Sequence, residues 1–257
     1  MRTVGEEART LWALSPSLGL NVRALGPLRL KASARRAFRA PTFNDRFWGA
    51  VGDPALRPET GWTFDGGAAL PLRLGRARLG AEATAFASAL RDQIVWAPGE
   101  GVAWRPLNVG RVRTRGLEAS ADADVPLPTG AALRASALAT WTDARDRTDP
   151  EAASYDQPLL YVPDRQLKAS LSAGWPALTL DLGAVHTGRR FTASDGSASL
   201  APVTVWGAGA RTRLGLADAE AAVALRVENL TDLRYQIVRG YPMPPRHLSF
   251  SLTLTAR

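Results

Sequence analysis

From Arg246 to the carboxy terminus the chain alternates without interruption. His247, Ser249, Ser251, Thr253 and Thr255 form one set, and Leu248, Phe250, Leu252, Leu254 and Ala256 the other. Successive side chains of a strand point to opposite faces, so this segment is a ribbon with one polar and one apolar side. Upstream of it, Asn229–Asp232 and the Gly240–Pro245 run make a polar crossing too long for a two-residue hairpin.

The same pattern recurs back to the amino terminus. Between Thr10 and Val22, Trp12, Leu14, Leu18, Leu20 and Val22 share a face, and after Gly26-Pro27 the set Leu28, Leu30, Ala32 and Ala34 follows. Further apolar sets run from Trp62 to Leu72, Leu79 to Ala89, Leu117 to Val125, Leu133 to Trp141, Leu167 to Trp175, Leu178 to Ala184 and Ala221 to Val227, with a less regular strand at Val203–Leu214. Tight turns are expected near Gly75, at Pro126–Gly130, at Pro176-Ala177 and at Gly215–Ala219. Long connections are expected at Phe38–Glu59, Ala97–Val109, Asp143–Pro163 and Thr192–Ser199.

About eleven strands result, with short and long connections in strict alternation. An antiparallel transmembrane β-barrel segment is written this way, with short periplasmic turns at one rim and long extracellular loops at the other. A water-soluble sandwich also alternates, but many of these strands run well past the roughly 5–6 residues common in globular sheets. Trp12, Trp62, Trp141 and Trp175 fall towards strand ends, as an aromatic girdle requires.

Composition removes several other classes. No window approaches the roughly 20 consecutive apolar residues of a spanning helix. Cysteine is absent, which excludes disulfides and thiolate metal sites. The formal net charge of +8 invites a nucleic-acid partner, but the arginines are scattered, with no lysine-rich tail and no interleaved aromatic platform. No nucleic-acid partner is expected. The first residues, MRTVGEEARTLWAL, lack the charged and apolar regions of a signal peptide.

Several segments carry a resemblance. Phe38-Arg39-Ala40-Pro41-Thr42, Gly52-Asp53-Pro54-Ala55-Leu56-Arg57-Pro58-Glu59-Thr60, Asn108 followed by Thr114-Arg115-Gly116-Leu117-Glu118, and Asn229-Leu230-Thr231-Asp232 with Tyr235 and Gly240-Tyr241-Pro242-Met243-Pro244-Pro245-Arg246 stand in this order on the long connections and their flanking strands. Together they resemble the carboxy-terminal half of the barrel of TonB-dependent outer-membrane receptors, closest to the cobalamin and siderophore branch. Pro245 stands where that family usually has Gly, and the chain ends on Ala256-Arg257 and not on an aromatic residue.

The resemblance implies a fragment, residues 1–257, of a barrel that closes with about 22 strands around a plug. It implies that the plug domain, the signal peptide and the segment that contacts the TonB complex are absent from this chain. It further implies residence in the bacterial outer membrane, contact with outer-membrane lipid, and uptake of cobalamin or a ferric siderophore, a small-molecule metal chelate. The alternative is a smaller complete barrel acting as a passive porin or scaffold.

Phe43, Phe47 and Trp48 in the first long connection, and Trp96 and Trp104 at the second, are the candidate ligand contacts, since flat aromatic rings stack on flat ligands. Glu118, Asp122 and Asp124 lie on the polar face and are the candidate lumen-facing charges; with Arg111, Arg113 and Arg115 nearby, an inward ladder of opposite charges is expected. No catalytic residue is expected. Of the two histidines, His247 shares a face with Ser249, but two strand positions lie about 7 Å apart, beyond hydrogen-bond reach. No cluster has metal-ligand spacing and no Gly-rich phosphate loop occurs, so neither metal nor cofactor is expected.

Overall fold

The computed structural model describes residues 12–98, 104–215 and 219–256. Fifteen strands and one short helix follow in chain order: β1 (Ser17–Arg23), β2 (Arg29–Arg39), α1 (Phe43–Phe47), β3 (Glu59–Leu74), β4 (Ala77–Pro98), β5 (Trp104–Pro126), β6 (Ala132–Asp146), β7 (Arg165–Gly174), β8 (Leu178–Thr187), β9 (Arg190–Phe191), β10 (Ser199–Leu200), β11 (Val203–Gly215), β12 (Ala219–Glu228), β13 (Gln236–Val238), β14 (Tyr241–Pro242) and β15 (His247–Ala256).

Eleven of them form a single sheet in the order β1-β2-β3-β4-β5-β6-β7-β8-β11-β12-β15. Every neighbouring pair is antiparallel and adjacent in sequence apart from the two small hairpins β9–β10 and β13–β14, which decorate long connections. The sheet is open: β1 and β15 are its two edges and do not pair with each other among the described residues.

Register translates the sequence pattern into two faces. Directly opposed residues of paired strands share a face. The row Ala34, Phe64, Ala87 crosses β2 to β4, and Ala81, Ala121, Ala137, Ala169, Ala184 and Trp206 form a continuous row from β4 to β11. On this apolar face the large side chains are uncovered: Leu18 is 77% exposed, Leu171 49% and Phe250 66%. A buried leucine gains about 1.5–3 kcal/mol over an exposed one in water, and a continuous apolar face of this extent drives aggregation there. Lipid hydrocarbon is the medium in which such a face is stable. Few side chains are buried within the sheet itself; Val112, Ala144 and Leu159 make one small cluster at the loop end.

The opposite face is wetter. Asp122, Ser136, Ser170, Asp181, Arg226 and Glu228, from five strands of the sheet, border a hollow of about 880 Å³. It is not uniformly polar, because Leu138, Val185 and Val205 share a row with Lys168 on that side.

Three local features depart from the sequence reading. β1 starts at Ser17, after Pro16, which has no amide hydrogen to donate to the ladder; the first residues of the stretch expected from Thr10 lie outside the described residues, as do 216–218 of the expected Gly215–Ala219 turn and Arg257 of the chain's ending. The second long connection is mostly strand: β4 and β5 stay in register from Gln93↔Val109 to Pro98↔Trp104, so only residues 99–103 join them. Ile94, Val95, Trp96, Leu107 and Val109 are β-formers, and cross-strand packing keeps the ladder going where alternation fails. At about 3.3 Å per residue, the 23 residues of β5 reach far beyond the roughly 25 Å apolar band. Finally, the Phe38–Glu59 connection contains α1, whose capping box joins Thr42 and Asp45. The Thr-x-x-Asp spacing is the signal that marks it.

Candidate functional site: the polar face and the long-loop rim

The long connections gather at one rim, and the resemblance motifs turn out to hold them together. Arg39, at the end of β2, faces Glu59 at the start of β3 and pairs with it at 2.5 Å. Glu59 also accepts the Ile94 amide at 2.8 Å, and Arg39 reaches Asp45 of α1 at 3.2 Å. Asp45 is 3% exposed and accepts three hydrogen bonds, from the Thr42 amide at 2.9 Å, the Trp96 indole Nε1 at 2.9 Å and Arg39 Nη2. Burial pushes its carboxyl up, but the Thr42 and Trp96 hydrogen bonds and the Arg39 charge outweigh that and hold it below the ordinary aspartate range.

Asn108 joins the second and third motifs. Its Oδ1 accepts from Arg57 N at 2.9 Å, and its Nδ2 donates to Arg57 O at 3.0 Å and to Asp92 O at 2.7 Å. Asp92 has φ +56° and pairs with Arg57 at 2.6 Å. Asn229 does the same work at the last long connection: 3% exposed, it bonds Leu233 through both its amide and carbonyl groups and reaches Pro244 O at 3.3 Å. Asp232 then accepts the Arg246 amide at 2.9 Å. These bonds give the motif residues an architectural role.

The five candidate aromatics are not equivalent. Phe43, the first residue of α1, and Trp48, just past its end, are 76% and 60% exposed, while Phe47 is half-buried with its ring 5.1 Å from that of Phe43. Trp96 is half-buried and engaged with Asp45. Trp104, the first residue of β5, packs its ring 5.1 Å from that of Tyr161, whose amide bonds Phe191 O at 2.9 Å, so the start of β5 touches the β6–β7 connection and that connection touches the β8–β11 one. Arg190, beside Phe191, is 2% exposed; its Nη2 donates to Ala201 O at 2.8 Å, and burial lowers its guanidinium from the ordinary value.

Glu118, Asp122 and Asp124 occupy alternate positions of β5, and Asp122 borders the hollow, its carboxylate lying over Gly80 of β4. Asp124 lies 3.8 Å from Arg134. Lys31, the register partner of Gly67, pairs with Glu82 two strands away, and an added Cβ at Gly67 would stand 2.7 Å from Thr84 Oγ1. Gly116 is similarly occupied: the Phe86 ring covers it and leaves no room for a Cβ. The expected inward ladder does not form with Arg111, Arg113 and Arg115. They share the parity of Leu117, opposite to Glu118, so the pleat turns them to the apolar side, where Arg115 pairs with Asp143 at 3.0 Å. His186 and His247 bond Thr204 and Glu228 respectively.

The family described as "TonB dependent receptor-like, beta-barrel" matches residues 2–230. The vitamin B12 transporter BtuB of Vibrio vulnificus is 33% identical over 134 residues, 52% of this chain and 20% of the relative. BtuB of Photobacterium profundum is 32% identical over 98 residues, 37% of this chain and 16% of the relative. The matched parts thus span no more than about a fifth of these curated relatives. Among solved structures, the copper transporter OprC superposes with a TM-score of 0.72 at 15% identity, covering 95% of this chain and 38% of its own. The unliganded ferric citrate transporter FecA gives 0.71 at 19% identity, covering 94% and 38%. These two likenesses establish the shared fold. The eleven-stranded sheet, its lipid-suited face and the match across residues 2–230 agree, and the chain belongs to the TonB-dependent receptor β-barrel family of the bacterial outer membrane.

Proposed function

We propose that this chain forms part of the wall of an outer-membrane uptake receptor for a bulky, scarce nutrient of the corrinoid or ferric-chelate class, energised through the TonB complex. The observation that carries the reading is the division of the sheet: aliphatic side chains stand uncovered on one face while the other borders a hollow of about 880 Å³. Two relatives that bear the vitamin B12 transporter name favour the corrinoid class, and the FecA likeness keeps ferric chelates beside it.

In this reading the open edges β1 and β15 meet further strands of a larger barrel, and the polar face borders a plug domain. Glu118, Asp122 and Asp124 solvate that interior. Phe43, Phe47, Trp48, Trp96 and Trp104 supply ligand contacts at the outer rim, Phe43 and Trp48 being the most available. The chemistry is binding and gated passage, with no covalent step.

Growth rescue tests it. A strain carrying the intact gene product as its sole outer-membrane receptor is supplied with limiting cyanocobalamin or with ferric chelates. Rescue by one class that requires TonB supports the reading, and Phe43→Ala with Trp48→Ala should then weaken uptake about tenfold at unchanged surface levels, the order of two lost stacking contacts. Rescue by neither, or rescue indifferent to TonB, rejects it.

A further inference from the structure

Register also decides which charges share the lipid-facing side at the loop end of the sheet. Trp62 faces Ala89, Ala89 faces Arg113, and Arg113 faces Arg145, so these two arginines belong to the apolar face. One row further towards the loops, Arg91 faces Arg111, whose carbonyl accepts the Arg147 amide at 2.8 Å. One row nearer the membrane, Arg115 faces Asp143.

Five arginines of β4, β5 and β6, with Arg147 just past the end of β6, thus stand together. Two carboxylates answer them: Asp143, 3.0 Å from Arg115 and 2.6 Å from Arg145, and Asp156, 2.7 Å from Arg147 and 3.6 Å from Arg145. Six positive charges less two negative ones leave four unanswered. Among the described residues, Arg91, Arg111 and Arg113 have no carboxylate within ion-pair distance, and all three are exposed. Like charges directly opposite each other destabilise paired strands. Arg91 against Arg111, and Arg113 against Arg145, are two such pairs, and an external anion is what relieves them.

Position selects the anion. On β5 the run from Leu117 to Val125, with its aliphatic side chains on one face, has about the 9–11 residues with which a tilted strand crosses the apolar band. Arg115, Arg113 and Arg111 follow on the same face at the end where the long connections lie, the external rim of an outer-membrane barrel. A soluble ligand in the lumen does not meet this side; a lipid headgroup does. Guanidinium forks match phosphate oxygens two at a time, and arginine stems lie along apolar surface while their heads reach the interface.

We infer that the outward arginine patch of β4, β5 and β6 binds the phosphate groups of an anionic outer-leaflet glycolipid whose acyl chains lie on the aliphatic rows below. The site faces away from the lumen and does not depend on which solute the receptor carries.

The intact gene product, purified in neutral detergent, is titrated with diphosphoryl lipid A, with the same lipid dephosphorylated, and with inorganic phosphate, and bound lipid is counted by native mass spectrometry. Arg111→Gln with Arg113→Gln leaves both Asp143 pairs and both Asp156 pairs intact. Arg73→Gln with Arg78→Gln removes the same charge beside the Gly75 turn at the other rim. The expected result is about tenfold weaker binding of diphosphoryl lipid A for the first variant, the order of one charge-assisted contact, and no change for the second. The dephosphorylated lipid should not bind at the same concentration, and millimolar inorganic phosphate should not displace the intact lipid. Equal loss in both double variants, or displacement by free phosphate, overturns the assignment. A heat-modifiable band on gels confirms that each variant is folded, and Arg91→Gln alone, expected to weaken binding in the same direction, serves if the double variant is not.

Discussion

The indole Nε1 of Trp96 donates a 2.9 Å hydrogen bond to Oδ1 of Asp45, joining α1 to the tall β4–β5 hairpin across 51 residues of sequence. Asp45 already belongs to the capping box of α1 and pairs with Arg39, so one buried carboxylate fixes the helix, the end of β2 and the hairpin together. Asp45→Ala should destabilise this rim by about 3 kcal/mol, because removing one member of a buried charged network strands its partners. Trp96→Phe, which removes a single donor, should lose about 1–2 kcal/mol. Denaturant titration of the folded protein in lipid vesicles measures both, and additive losses in the double variant would deny that the two side chains are coupled.

The same carboxylate makes the rim sensitive to acid. Its folded pKa lies below the unfolded value of about 3.9, so the stabilisation it contributes is present above that unfolded value and is lost as pH falls through the lowered folded one. Proteolysis at the long connections should therefore accelerate only in strongly acidic buffer, followed with an acid-active protease. Asp45→Asn should remove most of that acid dependence. An unchanged profile in the variant would assign the effect to other groups.

Asn108 offers a test that separates donor from acceptor. Asn108→Asp keeps the acceptor for Arg57 N and loses the donors to Arg57 O and Asp92 O, placing a charge beside two carbonyls. It should be worse than Asn108→Ala, which loses about 2–3 kcal/mol through the same unsatisfied groups. Trypsin cleavage after Arg46, in the connection that Asn108 ties down at Arg57, should rise in both variants, more in the aspartate form.

Gly116 sits where a Cβ would collide with the Trp141 carbonyl oxygen as well as with the Phe86 ring. Gly116→Ala should destabilise β5 against β6 by about 1–3 kcal/mol. Phe86→Ala should fail to rescue it, since the nearer obstacle is backbone. Rescue in the double variant, measured by thermal heat-modifiability on gels, would show that the ring alone sets the constraint.

Much of this structure is periodic, and what is periodic is legible in one chain. Strand order, the two faces and the alternation of short and long connections follow from side chains that change sides every residue, a purely local rule. Arg113 and Arg115 mark its strength: their charge argues for the interior, their odd parity with Leu117 argues for the outside, and the pleat obeys parity. The candidate aromatics show its limit. Nothing within Phe43–Trp48 or around Trp96 states that one tryptophan is tied to a buried aspartate while another is left 60% exposed.

The sequence by itself determines the antiparallel sheet, its lipid-suited stripe and its family, because alternation and short motifs need only neighbours along the chain. Tertiary structure alone decides which motif side chains meet, how Asn108 binds Arg57 fifty-one positions away, and where five arginines of three strands converge with Arg147. Those relations depend on register between strands and on loops closing over one another, and the energies that choose them are contacts between residues distant in sequence.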